Sequence, residues 1–209
     1  MILEKSTDNQ AQSNIEIISK RCGELTDRAK EQLLKWNQSL SKIKVYRNTW
    51  HEYFILQAFF VSTRSLDAQT KCGCVLVRDN TIIASGYNSF IGGINDSVLP
   101  NTRPDKYPFM IHAEHNAILN CSKNGISTKG STAYITTIPC CGCLQYLYQA
   151  GIKDIYFAQY IKPSMVMNEE YETNFEILCN LMSSKRINIY ELILKEQMIE
   201  KIEKIKSCG

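Results

Sequence analysis

No stretch of the 209-residue chain approaches the roughly 18 consecutive apolar residues that a membrane-spanning helix needs. The opening residues, MILEKSTDNQAQSN, carry charges where a signal peptide requires its apolar stretch. The chain is therefore expected to be cytoplasmic, neither secreted nor membrane-spanning. Charge of one sign is lacking too: 24 Lys plus Arg against 21 Asp plus Glu leave a net +3, without the long basic blocks that track a phosphate backbone. That disfavours nucleic-acid footprints and leaves small anions open. Internal repeats and low-complexity tracts are absent, which removes solenoids and arrays. What remains is 44% hydrophobic and 22% charged, the mixture of one globular domain with a small appendage. Cysteine, by contrast, is plentiful. There are nine, an odd number, and three crowd into Cys140-Cys141-Gly142-Cys143. In a chain of this size and compartment, such spacing points to a metal or to catalysis before disulfides.

Residues 1–13 are polar and aperiodic, a frayed tail. From Ile15 to about Leu40 apolar residues recur in helical steps around a Cys-Gly interruption, predicting one or two helices outside the main fold. Trp50–Arg64 places Tyr53, Phe54, Ala58 and Val61 on one helical face. Two β-rich runs follow, Cys72–Arg78 and Thr81–Tyr87, joined by Asp79-Asn80 as a tight hairpin link. Asn88–Phe109, with three prolines and Gly92-Gly93, is a loop long enough to have a function. Then come a helix His112–Lys123, a strand Thr132–Ile138, a helix Cys140–Ala150, a strand Asp154–Gln159, a helix Glu169–Met182, a strand Ile187–Leu194 and a charged helix Lys195–Lys206. Strands alternating with helices predict a layered α/β sheet.

The chemistry sits in His112-Ala113-Glu114 and Pro139-Cys140-Cys141-Gly142-Cys143, each where a helix begins. Cys140 and Cys143 are three residues apart, so both sulfurs point to one side of a first helical turn, and Pro139 suits that helix start. The positive end of the helix favours thiolate, the form that binds zinc. His112 supplies a third ligand. Two Cys and one His with an open fourth position is a catalytic zinc pattern, because structural sites close all four positions with protein atoms. Glu114 lies about 200° around the helix from His112, so it does not join the ligands but reaches past them as a proton shuttle. Hydrolytic loss of ammonia from an amidine-like ring carbon needs an acidified water beside such a carboxylate. The competing reading is a closed zinc knuckle with Cys121, Cys141 or His115 as fourth ligand. Another is a bare pair of core cysteines.

H-x-E with P-C-x-x-C, in the order helix, hairpin, loop, H-A-E helix, strand, P-C-x-x-C helix, resembles the cytidine and deoxycytidylate deaminase superfamily. Within it the likeness is to the deoxycytidylate (dCMP) deaminases, over about Trp50 to Leu194. It runs through Tyr53-Phe54, Arg64-Ser65-x-Asp67, Gly86-Tyr87-Asn88, Asn95-Asp96-x-Val98-Leu99-Pro100, Asp105-Lys106-Tyr107-Pro108, His112-Ala113-Glu114-x-Asn116-Ala117-Ile118 and Gly151-Ile152-Lys153. The resemblance implies a three-layer α/β/α fold with a five-stranded mixed sheet, at residues 47–194. Residues 1–46 would be an N-terminal helical extension without assigned role, and 195–209 a C-terminal helix. It implies zinc-dependent hydrolysis of dCMP to dUMP and ammonia, feeding thymidylate synthesis. It implies Asn88 at the sugar and base, Arg64 and Asp67 near the phosphate, and Tyr160 by the nucleotide. It also implies a homo-oligomer, a hexamer, with dCTP (as its Mg2+ complex) activating and dTTP inhibiting near Asn120 and Lys123. Arg103 and Lys106 are expected to join Arg64 as phosphate donors.

Where family members read Gly-Tyr-Asn-Gly-x-Pro-x-Gly in a segment implicated in effector binding, this chain reads Gly86-Tyr87-Asn88-Ser89-Phe90-Ile91-Gly92-Gly93, without the proline and the first following glycine. Cys72 and Cys74 read as strand packing, His115 as facing outward from its helix, and Glu196–Lys206 as a solvated helix face. Beside a deaminase of another cytosine nucleotide, dCTP, which the sequence does not rank against dCMP, two further functions compete: a tRNA base deaminase, and a zinc-stabilised binding protein without catalysis. The 24 positions from Asn88 to His112 and the slight net charge oppose the first, and the presence of Glu114 opposes the second.

Overall fold

The computed structural model describes residues 27–40, 48–158, 169–183 and 187–207. The chain divides into two compact units, Met1–Arg47 and Asn48–Gly209. In the first, helix α1 spans Asp27–Leu40; the expected tail over residues 1–13, and the part of the predicted helix before Asp27, lie outside the described residues. Among the described residues no helix is long and apolar enough to cross a membrane.

The second unit runs α2 (Trp50–Ser62), β1 (Gly73–Arg78), β2 (Thr81–Tyr87), a 3-10 turn (Asp96–Val98), α3 (Ala113–Lys123), β3 (Thr132–Ile135), α4 (Cys141–Gln149), β4 (Asp154–Ala158), α5 (Glu169–Ser183), β5 (Asn188–Leu192) and α6 (Glu196–Ser207). The strands form one mixed sheet in the order β2-β1-β3-β4-β5. β1 is antiparallel to β2 and β3, while β3, β4 and β5 are parallel. Asp79 and Asn80 both take positive φ, 51° and 56°, which closes the β1–β2 hairpin with the turn that suits twisted strands.

The side-chain alternation of each strand divides the core in two. Cys74 and Leu76 of β1, Ala133 and Ile135 of β3, and Ile155 and Phe157 of β4 pack against Ala113, Ala117 and Cys121 of α3 and Leu144 and Leu147 of α4, with Phe175 and Leu178 of α5 alongside. Val75, Val77, Tyr134 and Ala158 face the other way, onto Phe54, Ile55, Ala58 and Phe59 of α2 and Met198 and Ile202 of α6. This is the three-layer α/β/α arrangement. The exposed Glu200, Glu203 and Lys204 form the solvated face of α6, while its Met198 and Ile202 are core.

The buried face of α2 differs from the predicted one. Phe54, Ile55, Ala58, Phe59 and Ser62 are buried, whereas Tyr53 is 40% exposed. The helix is apolar nearly all round, so spacing alone does not choose its inner face. Gly73 does: a Cβ there would collide with the Ala58 carbonyl and the Ser62 N–H, so the glycine lets α2 lie directly on β1. β2 has the expected bounds, while β1, β3 and β5 are shorter than expected. β3 stops at Ile135 because Thr136 leaves the ladder with β4 and pairs with Gly73 instead, its N–H donating to the Gly73 carbonyl at 3.1 Å and its Oγ1 accepting from the Gly73 N–H at 3.0 Å.

Candidate active site

Two helix starts meet on one side of the sheet. His112 is the N-cap of α3, extended at φ −69°, ψ 155°, and Cys140 is the N-cap of α4, extended at φ −69°, ψ 160°. Each therefore stands half outside its helix, aimed past the first turn. What brings them together is the packing of α3 on β2, where Gly86 has no side chain. A Cβ there would run into the Ala113 carbonyl and the Ala117 N–H. Just before the helix, Ile111 and Ser89 exchange backbone hydrogen bonds of 2.8 and 3.0 Å. Asn116 then donates to the Tyr87 carbonyl at 2.9 Å.

His112 Nδ1 lies 3.6 Å from Cys140 Sγ and 3.3 Å from Cys143 Sγ. The three ligand atoms lie within 4.8 Å of one another. Zn–S bonds of about 2.3 Å and a Zn–N bond of about 2.05 Å at a tetrahedral angle separate N and S by about 3.6 Å. The donor set fits a zinc ion in both chemistry and spacing. His112 is exposed, Cys140 half-buried and Cys143 buried, so the group opens to one side.

The electrostatics agree. A hydrogen bond from the Cys143 thiol, with further ones from His112 and the Cys143 N–H, holds the Cys140 thiol down to about 4. The same Cys140 contact, followed by burial, raises Cys143. His112 is raised, first by its hydrogen bond with Cys140. Glu114 is 6% exposed at the second helical position of α3, and burial raises its carboxyl above its ordinary value, opposed first by a backbone hydrogen bond and then by the charge of His112. A buried carboxylate inclined to hold a proton beside these groups is suited to moving one.

Asn88 is 5% exposed, with Nδ2 donating to Asp67 Oδ2 at 3.0 Å and to the Thr70 carbonyl at 2.8 Å, and Oδ1 accepting from the Cys72 N–H at 2.7 Å. Asp67 is buried as well, and its Oδ1 accepts from the Gln69 and Thr70 N–H groups. Arg64 is exposed just past the end of α2. Asn120 donates to the Ser85 carbonyl at 2.8 Å and Lys123 is exposed in the last turn of α3. Tyr160 lies outside the described residues.

Two expectations are corrected. Lys106 is 3% exposed and ion-paired to Asp67, so it is committed inside the protein and does not stand ready for a phosphate. Arg103 is exposed, with one guanidinium nitrogen donating to Thr70 Oγ1 at 2.8 Å. His115 does not face outward: its ring meets Tyr146 edge-on at 4.1 Å, and Nε2 is buried without a hydrogen-bond partner among the described residues. Cys72 packs against the core as expected. Burial and then the Glu114 and Asp67 carboxylates push its thiol up to about 12.

The model of the cytidine and deoxycytidylate deaminase zinc-binding region matches residues 48–159. Human deoxycytidylate deaminase is 40% identical over 115 residues, 52% of this chain and 64% of that protein. The ComE operon protein 2 of Bacillus subtilis is 38% identical over 128 residues, 60% of this chain and 68% of that one. The chain thus spans about two-thirds of the length of these relatives. Among solved structures, the dCMP deaminase of cyanophage S-TIM5 in complex with dCMP and dUMP superposes with a TM-score of 0.56 at 23% identity, covering 71% of this chain and all of that one. That likeness concerns the fold. With the matched region spanning both helix starts and everything between them, the chain belongs to the cytidine and deoxycytidylate deaminase zinc-binding family.

Proposed function

We propose that the protein is a zinc-dependent hydrolase that deaminates dCMP to dUMP and ammonia. The observation that carries this is the convergence of His112 Nδ1, Cys140 Sγ and Cys143 Sγ beside the buried Glu114. The substrate is read from the deoxycytidylate deaminases among its relatives. Held by His112, Cys140 and Cys143, zinc supplies a Lewis acid that makes a water nucleophilic near neutral pH. Glu114 takes one proton from that water as its oxygen bonds to the ring carbon and gives it to the ring nitrogen. It then takes the second proton, from the newly bonded hydroxyl, and gives it to the amine as the C–N bond breaks and the carbonyl forms. Water plus dCMP thus gives dUMP plus ammonia with no oxidant or reductant. Asn88 orients the sugar, with the second lone pair of Oδ1 as the hydrogen-bonding capacity its amide has left. Arg64 meets the phosphate, and Tyr160 borders the nucleotide.

In this reading, catalysis belongs to residues 47–194 and α6 backs the far face of the sheet. A homohexamer, with Mg2+-dCTP and dTTP as effectors near Asn120 and Lys123, follows from the family resemblance, and a cytoplasmic location is the expectation read from the sequence. Ammonia release from dCMP, deoxycytidine, dCTP and a tRNA anticodon stem tests the reading. The expected result is turnover of dCMP with poor use of deoxycytidine. Equal kcat/KM for these two would remove the phosphate requirement, and turnover of the tRNA alone would overturn the substrate.

A further inference from the structure

The loop after α2 and the long loop before α3 are fastened by one buried polar cluster. All four acceptor positions of the Asp67 carboxylate are used: Oδ1 takes the Gln69 and Thr70 N–H groups, and Oδ2 takes Asn88 Nδ2 and Lys106 Nζ. This decides which way the Asn88 amide points. Its NH2 end meets two acceptors, Asp67 Oδ2 and the Thr70 carbonyl, and its oxygen meets a donor, the Cys72 N–H. A flipped amide would set oxygen against carboxylate and carbonyl and NH2 against N–H, so the two backbone partners set the sense of the amide and the Asp67 carboxylate holds its NH2 end in place. Asp67 is 3% exposed, and buried carboxylates are found paired with a counter-charge. The ammonium of Lys106, itself 3% exposed, is that counter-charge. The same lysine anchors the approach to the metal ligands, because its carbonyl accepts from the Phe109 and Met110 N–H groups, just ahead of the Ser89–Ile111 bridge and His112.

We propose that Lys106 is a positioning residue for substrate selection: by holding Asp67 Oδ2 in place against the Asn88 NH2 group it locks the Asn88 amide with its oxygen available to a sugar hydroxyl. A buried ion pair costs desolvation that an apolar pair would avoid, so its return is geometric. The inference rests on the proposed deaminase reading and on Asn88 at the sugar. It moves Lys106 from phosphate binding to amide orientation.

The test pairs two substrates, dCMP and 2′,3′-dideoxy-CMP, with the wild-type chain, Lys106→Met and Asp67→Asn, each checked for bound zinc. Wild type is expected to prefer dCMP by roughly 100-fold or more in kcat/KM, because an unmet acceptor rejects a ligand lacking its donor. Both variants are expected to keep one zinc per chain and to discriminate less than about tenfold, mainly through a raised KM for dCMP. A purely structural role would slow both substrates in proportion and leave the ratio unchanged, and that result overturns the proposal. Loss of zinc or of folding in both variants also overturns it, assigning the pair to stability alone. A wild-type chain inactive on dCMP would instead sink the deaminase reading, which separates the two failures.

Discussion

The helices α2 and α3 lie on opposite faces of the same sheet, and they begin in opposite ways. At α2, Thr49 Oγ1 accepts from the Glu52 N–H at 3.3 Å while a Glu52 carboxylate oxygen accepts from the Thr49 N–H at 2.7 Å, a closed capping box. At α3 the cap position is His112, which makes no capping hydrogen bond, and the glutamate of the first turn, Glu114, is buried beside Cys143. At α4 the cap is a cysteine whose sulfur accepts from the Cys143 N–H at 3.3 Å and also lies 3.6 Å from His112 Nδ1. The start of α2 is thus closed by its own side chains, whereas on the site face the caps of α3 and α4 are the His112 and Cys140 that converge with Cys143. Both faces rely on a glycine for close approach, Gly73 under α2 and Gly86 under α3.

The largest expected effect breaks the site face outright. Cys143→Ala removes one of three zinc ligands, and metal analysis should find the ion lost and turnover abolished; undiminished zinc would contradict the ligand assignment. Next, Gly86→Ala and Gly73→Ala should each cost about 1–3 kcal/mol in denaturant unfolding, since a Cβ must push backbone aside. Only Gly86→Ala should also weaken zinc retention, because only it displaces the helix bearing His112. Equal zinc loss from both would erase the distinction between the faces. Smaller still, Thr49→Ala should cost about 1 kcal/mol while kcat stays unchanged. The smallest effect runs the other way: with zinc removed from both proteins, His112→Ser should be more stable than wild type by about 0.5–1 kcal/mol, having regained a capping side chain. No gain would mean that the site costs α3 nothing.

Much of this was legible in the sequence, for identifiable reasons. Strand positions showed because the alternation in Cys74, Val75, Leu76 and Val77 serves two buried faces, and the hairpin showed in Asp79-Asn80. The convergence of His112, Cys140 and Cys143 showed because three-residue spacing at a helix start admits few alternatives. Less visible was anything decided by long-range partners. The inner face of α2 depends on Gly73, which lies far along the chain. Lys106 reads as a phosphate donor until Asp67, 39 positions earlier, is seen against it. His115 looks exposed until Tyr146 closes over its ring.

The account stands most directly on Glu114. Ammonia release from dCMP should be measured for the wild-type chain and for Glu114→Gln, with zinc per chain determined in the same samples. The account predicts equal zinc in the two proteins and a kcat lower by about 10²–10⁴-fold in the variant, since the substitution removes the proton shuttle and leaves His112, Cys140 and Cys143 in place. Equal zinc with turnover close to that of wild type would contradict it.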